Sequence, residues 1–175
     1  MSIYLDSLKK RLLTYKDLAE KTFAQLTDEQ IHWQPPGEPN SIYIIVKHMS
    51  GNMLSRFTGF LTTDGEKPWR ERDAEFEDNE PQLSKAEMIA VWNKGWDCLM
   101  QTLDSLTDAD LTKTVHIRTE PLSVTDALNR QLSHYPYHVG QIVFLGKMMK
   151  AENWQSLSIA KGKTREFNEQ KAAGK

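Results

Sequence analysis

Apolar residues recur at helical spacing in four separate stretches, and charged or proline-rich segments divide them. From Ser2 to Leu26 they fall at Ile3, Leu5, Leu8, Leu12, Leu13, Tyr15, Leu18, Ala19, Phe23 and Leu26, with charges between. That period predicts a first amphipathic helix of about six to seven turns. Thr27-Asp28-Glu29-Gln30 has the form of a capping box and predicts one short turn. Pro35, Pro36, Gly37 and Pro39 then break any helix, so 33–40 is expected to be a structured loop, with Trp33 packed over one end of the domain. A second helix starts at a cap on Asn40 or Ser41 and runs to about Phe60 or Leu61, through Ile42, Ile45, Val46, Met49, Met53, Leu54 and Phe57. Ser84-Lys85-Ala86-Glu87 is a second capping box and opens a third helix, whose apolar face is Met88, Val91, Trp92, Trp96, Leu99, Leu103 and Leu106. The longest periodic run, Val124 to Met149, predicts a fourth helix capped by Ser123 or Thr125.

The connections read differently. Residues 70–82 are strongly charged, with Ala74 and Phe76 the apolar exceptions, and are expected to form a solvated crossover. Residues 112–122 alternate at Val115-His116-Ile117-Arg118 and then turn at Thr119-Glu120-Pro121, which fits a small β-hairpin or extended arm before the last helix. The Lys/Glu/Ala-rich end, 168–175, is expected to fray. Together these elements predict an all-α chain, a single domain over 1–175 folded as a four-helix bundle with long crossover loops. The long connection between the second and third helices permits an up-down-down-up order.

Composition narrows the function classes. With 175 residues, 26% of them charged, and a net charge of −2 with both signs interspersed, the chain has one domain's length and no basic footprint for nucleic acid. Mean hydropathy is −0.59, and no run approaches the ~18 apolar residues that a membrane-spanning helix needs. The N-terminus lacks a basic segment followed by an apolar one, so no signal peptide is expected and the cytoplasm is the expected address. A single cysteine, Cys98, excludes an internal disulfide and a cysteine-based zinc site.

The chemistry gathers on the fourth helix. His134 and His138 stand four apart, so both project from one face with Cβ atoms about 5–6 Å from each other. Arg130 lies four before the pair and Gln141 three after it, extending a polar stripe along an otherwise apolar helix. Such a stripe is either an exposed face or a metal or substrate site, because buried polar groups are costly unless partnered. His48 lies on the second helix, with Asn52 and Arg56 one and two turns on. Three neutral imidazoles from two helices facing one core would match a three-histidine catalytic metal site with an open position. Zinc, nickel and iron all accept those donors, so the ligands do not name the metal. Position 135 is Tyr, so the glutamate of a His-Glu-x-x-His protease is missing. His32 and His116 read as solvated loop histidines. Tyr137 reads as core, with a substrate-orienting role as its alternative. Pro136 removes one helical hydrogen bond and costs about 3 kcal/mol in an ordinary helix, which predicts a kink or π-bulge near residue 132.

Val46-Lys47-His48-Met49 together with His134-x-x-x-His138-x-x-Gln141 resembles the DinB-like superfamily. Asn40-Ser41-Ile42, Gly51-Asn52-Met53-Leu54-Ser55-Arg56, Asp64-Gly65-Glu66-Lys67-Pro68-Trp69, Tyr137-His138-Val139-Gly140-Gln141 and Ser156-Leu157-Ser158-Ile159 resemble one branch of it, known mostly as a domain of unknown function. The resemblance spans roughly residues 3–168. It implies a four-helix bundle, often a homodimer, holding one divalent transition metal on His48, His134 and His138. Relatives with known activity are thiol-dependent S-transferases and isomerases that use low-molecular-weight thiols. The expected function is therefore a metal-dependent thiol S-transferase acting on small electrophiles. The alternative is a non-catalytic metal-binding or stress-response protein with a structural metal. A metal-assisted hydrolase ranks last, because no carboxylate base stands near the three histidines in sequence. Asn52, Arg56, Arg130, Tyr137 and Gln141 are the expected substrate contacts or partners of the ligands.

Overall fold

The periodic stretches form helices whose ends are capped by the hydroxyls the sequence provides. The computed structural model describes residues 2–37, 40–77 and 81–174. Helix α1 spans Ile3–Phe23, and the Ser2 hydroxyl accepts from the Leu5 amide at 3.2 Å. The capping box at Thr27 opens the one-turn α2, Asp28–His32. Helix α3 spans Ile42–Phe57 behind Ser41, α4 spans Lys85–Ser105 behind the Ser84–Glu87 box, and α5 spans Val124–Lys150 behind Ser123. Each cap satisfies an amide that the helix itself leaves unpaired. A two-stranded antiparallel hairpin, β1 (Thr114–Ile117) and β2 (Glu120–Ser123), precedes α5. The chain is mostly helical, and none of its described helices is long and apolar enough to cross a membrane.

Helix α3 packs on α4 and α1 on α5, and the pairs join where α3 meets α5 and α1 meets α4. The core between them contains Leu12, Met49, Met53, Trp92, Trp96 and Tyr135, each almost fully buried. Phe23 meets Trp92 edge-on at 5.3 Å, and Trp92 and Trp96 lie 5.4 Å apart. Such aromatic pairs add to the burial of large apolar area. The α3–α4 crossing is close because Gly95 has no side chain: a Cβ there would sit 2.8 Å from the Ser50 Cα. The Ser50 hydroxyl then donates across the contact to the Val91 carbonyl at 2.7 Å. This tight crossing fixes the height of α3, and with it the height of His48.

Several expectations are corrected. Helix α3 stops at Phe57 rather than Phe60 or Leu61, since Gly59 turns left-handed (φ 62°) and the Thr63 hydroxyl donates to the Thr58 and Gly59 carbonyls. Trp33 stays 38% exposed, beside Met148 and Met149 in the last turn of α5. His32 is not solvated: its ring lies 4.7 Å from Tyr43, and its Nε2 is 2.8 Å from the Leu83 carbonyl. The hairpin turns one residue earlier than expected, at Arg118 and Thr119 (φ 55° and 65°), while Pro121 pairs with His116 inside β2. Of the kink or π-bulge expected near residue 132, the π-bulge is absent: α5 is α-helical from Val124 to Lys150 with Pro136 inside it. The tail expected to fray instead forms an exposed helix α6, Thr164–Ala172. Of the crossover loop, 78–80 lie outside the described residues; before them 71–74 and 77 are exposed as expected, while Arg70, Glu75 and Phe76 are half-buried where the Asp73–Phe76 turn packs on α3.

Candidate metal centre

His48 on α3 faces His134 and His138 on α5, and the three Nε2 atoms converge. His134 Nε2 lies 3.0 Å from His138 Nε2 and 3.4 Å from His48 Nε2. The ligating atoms of all three lie within 4.8 Å of one another, so together they can hold a metal ion. The rings behind those atoms are oriented from outside. His48 Nδ1 is 3.0 Å from a Glu75 carboxylate oxygen, and His138 Nδ1 is 2.8 Å from the Gln141 amide oxygen. Both partners accept, so the neutral ring of each histidine carries its proton on Nδ1 and turns its Nε2 lone pair to the centre. His134 has one Nε2 proton at most and cannot compensate two facing lone pairs.

A cation resolves that arrangement. A tetrahedral ion with bonds of about 2.05 Å to imidazole nitrogen sets those nitrogens about 3.3 Å apart, close to the 3.0 and 3.4 Å found. The protonation states agree. Burial, then the neighbouring His138 and His48, pulls the His134 pKa from 6.5 down to about 3. Burial also lowers His138, with the Gln141 hydrogen bond opposing and His48 assisting. Neutral imidazoles of this kind are ready ligands.

Glu75 is the part that sequence reasoning missed. Its carboxylate is almost buried and takes two parallel bonds from Arg70, at 2.7 and 2.8 Å, besides the one from His48. Burial would raise its pKa, but hydrogen bonds and charge from Arg70 and His48 outweigh that and hold it low. The carboxylate fits because residue 51 is glycine: a Cβ there would overlap Glu75 Oε1 and lie 2.8 Å from its Cδ. Phe76 completes the support, its ring 4.9 Å from that of His48. The available signals were Gly51, three residues after His48, and an aromatic at position 76 in an otherwise charged run.

A cavity of about 210 Å³ lies over the exposed side of the cluster. His48 and His134 form part of its wall, with Asn52 and Gln131, and the remainder is five arginines: Arg56, Arg70, Arg72, Arg118 and Arg130. Asn52 Oδ1 accepts from the buried Tyr135 hydroxyl at 3.0 Å, which leaves its NH2 as the end available to the cavity. Arg56 is buried against the Gly65 carbonyl and Glu66, and burial lowers its pKa from the ordinary value. The Asp64 carboxylate accepts from the Arg118 and Thr119 amides at 2.9 and 2.7 Å, which pins the hairpin tip at the cavity rim.

Of the sequence-predicted residues, Asn52, Arg56 and Arg130 thus line the cavity, and Gln141 stands behind His138. Tyr137 is not the core residue expected, although its ring lies 4.6 Å from that of His138. It is 60% exposed rather than core, because Tyr135 holds the buried position, and its hydroxyl accepts from Gln141 Nε2 at 3.3 Å. That contact orients the Gln141 amide with its oxygen toward His138.

Fold and site together define a mostly helical protein with three histidines able to hold a metal ion beside a cationic cavity. A family model described as "Protein of unknown function (DUF1572)" matches residues 1–163, and the chain belongs to that family. No curated protein and no solved structure matches it.

Proposed function

We propose that the chain is a DinB-like four-helix bundle in which His48, His134 and His138 bind one divalent transition metal through Nε2, and that it is a thiol S-transferase acting on small electrophiles. The observation that carries this reading is the convergence of three imidazoles, with His134 Nε2 near tetrahedral-edge spacing from the other two, beside a cavity that leaves one side of the cluster open. Zinc or nickel suits this donor set best, and iron accepts it as well. When bound, the metal supplies Lewis-acid lowering of a thiol's pKa.

The chain's own residues do the rest. Glu75 and Gln141 hold the His48 and His138 tautomers, as partners of metal-bound imidazoles do. The cavity guanidiniums favour the thiolate over the thiol, so its proton leaves to solvent. The sulfur then forms the new bond to the electrophilic carbon, and the leaving group departs with the electron pair of the bond that breaks. No residue is required as a general base, which suits a wall with no Asp or Glu among the described residues.

The test is elemental analysis of protein purified without added metal, followed by turnover assays. Stoichiometric zinc or nickel, lost in His48→Ala and His138→Ala, is expected. Metal-loaded protein is expected to couple a small thiol to 1-chloro-2,4-dinitrobenzene, and metal-free protein is not. Failure of a panel of thiols and electrophiles to give metal-dependent turnover, with stoichiometric metal and a large fall in Tm on chelation, would instead favour a structural metal.

A further inference from the structure

The charge balance of the cavity identifies the kind of ligand it takes. Among the described residues five guanidiniums line it and no carboxylate does. Two carboxylates stand close behind the wall: Glu75 is engaged by Arg70, and Glu66 is shared by Arg56 at 3.3 Å and Arg118 at 2.9 Å. Arg72 and Arg130 have more distant partners, Asp73 and Glu120, each at 3.8 Å and each well exposed. Those two separations exceed hydrogen-bond length, and exposed pairs of this kind neutralise little. Among the described residues five positive charges thus face two close negative ones, with the Asp64 carboxylate at the rim, an excess of two to three before any metal is counted.

A second observation marks the same cavity as a ligand site, independently of the ligand's charge. Gln131 is 4% exposed, lines the cavity, and its Oε1 has no hydrogen-bond partner among the described residues. Buried acceptors are nearly always partnered, so one left over in a cavity wall marks a place for a ligand N–H or O–H. Size sets the last limit. At about 30 Å³ per water, a cavity of about 210 Å³ holds a small molecule and is below the range of drug-sized sites.

We propose that this cavity is a dianion subsite: Arg72, Arg118 and Arg130 bind a small molecule bearing two carboxylates or one phosphate, and orient it toward the histidine cluster. The inference deepens the S-transferase reading, since it makes the thiol itself an anionic one. It does not depend on the metal for its first test. Arginine forks match carboxylate and phosphate oxygens in pairs, so the site prefers these groups to monoanions.

The experiment uses calorimetric titration of the full chain, with and without zinc. The probes are succinate, inorganic phosphate, mercaptosuccinate and 2-mercaptoethanol. Succinate or phosphate is expected to bind the metal-free protein, and Arg130→Gln to weaken that binding about tenfold per lost fork. Among the described residues the ion pair of Arg130 is the long one with Glu120, so its loss is expected to leave the fold intact; Arg118→Gln is the second variant. With zinc, mercaptosuccinate is expected to bind at least about tenfold tighter than 2-mercaptoethanol, and Arg118→Gln/Arg130→Gln to erase that preference while keeping zinc content. Competition by succinate alone identifies a dicarboxylate, and competition by phosphate a phosphate ester. Zinc uptake with no arginine-dependent preference for dianions overturns the subsite and leaves the metal centre standing. Arginine-dependent succinate binding in protein that takes up no zinc does the reverse.

Discussion

Gly51→Ala sets two physical effects against each other, and the structure decides the sign. Residue 51 sits in the interior of α3, where replacing glycine by alanine ordinarily stabilises by about 1 kcal/mol. Here the new Cβ would occupy the place of the Glu75 carboxylate, 2.8 Å from its Cδ. That carboxylate is the far end of a flexible side chain, yet it is not loose: it accepts at 2.7 and 2.8 Å from Arg70 and at 3.0 Å from His48. Hydrogen bonds to charged groups are worth about 1.5–3 kcal/mol each. Losing one or weakening two outweighs the helix gain, for a net destabilisation of about 1–2 kcal/mol in the metal-free protein. For a chain of this size that is a fall in Tm of roughly 2–8 °C. The metal affinity should fall further, since loss of the partner behind a histidine ligand costs about 10–100-fold, equivalent to about 1.4–2.7 kcal/mol. Competition against a chelator of known zinc affinity reads the second quantity, and thermal melts of the metal-free protein read the first. Zinc affinity within about twofold of wild type, with Tm raised as helix propensity alone would raise it, refutes the role given to Glu75.

Further outcomes follow from the same geometry. Glu75→Gln offers one oxygen and one NH2 where Arg70 and His48 need acceptors, so zinc affinity should drop about 10–100-fold; its effect and that of Gly51→Ala should combine less than additively, because both act through one contact, and full additivity in a double-mutant cycle would count against this. In metal-free protein the lowered His134 pKa means that the unfolded chain binds the extra proton between about pH 6.5 and pH 3. Stability is therefore fully present above pH 6.5 and is lost as pH falls through that window. His134→Gln should flatten the pH dependence of Tm there, and an unchanged slope would sink the assignment. Asp64→Ala removes the acceptor of the Arg118, Thr119 and Glu66 amides; about 2 kcal/mol of stability should go with it, and the hairpin amides should lose hydrogen-exchange protection, whereas retained protection would show that the tip is held by other means.

The helices were legible in the chain because their information is local. Apolar period and hydroxyl caps at Ser2, Ser41, Ser84 and Ser123 depend on neighbours three and four residues away, and tertiary packing did not overrule them. The His134–His138 pair was legible for the same reason. His48 needed one further step, the inference that two polar stripes face each other. Glu75 lay beyond that reach. Its burial depends on an absent side chain at Gly51, 24 positions earlier in the chain, and on the Arg70 charge that compensates it. In sequence, Arg70 and Glu75 are simply members of a charged run, and such runs are usually solvated. The arginine wall was less visible still. Arg56 comes from α3, Arg70 and Arg72 from the crossover, Arg118 from the hairpin tip and Arg130 from α5. A net charge of −2 conceals a cavity with an excess of two to three positive charges, because composition averages over a surface that folding sorts. Pro136 teaches the converse. A single residue with a strong local preference predicted a kink or π-bulge, and the structure keeps α5 α-helical through it, with no π turn. Aim at the centre comes instead from Glu75 and Gln141, which fix two rings from behind, so the geometry of the histidines is controlled by side chains rather than by a break in the backbone.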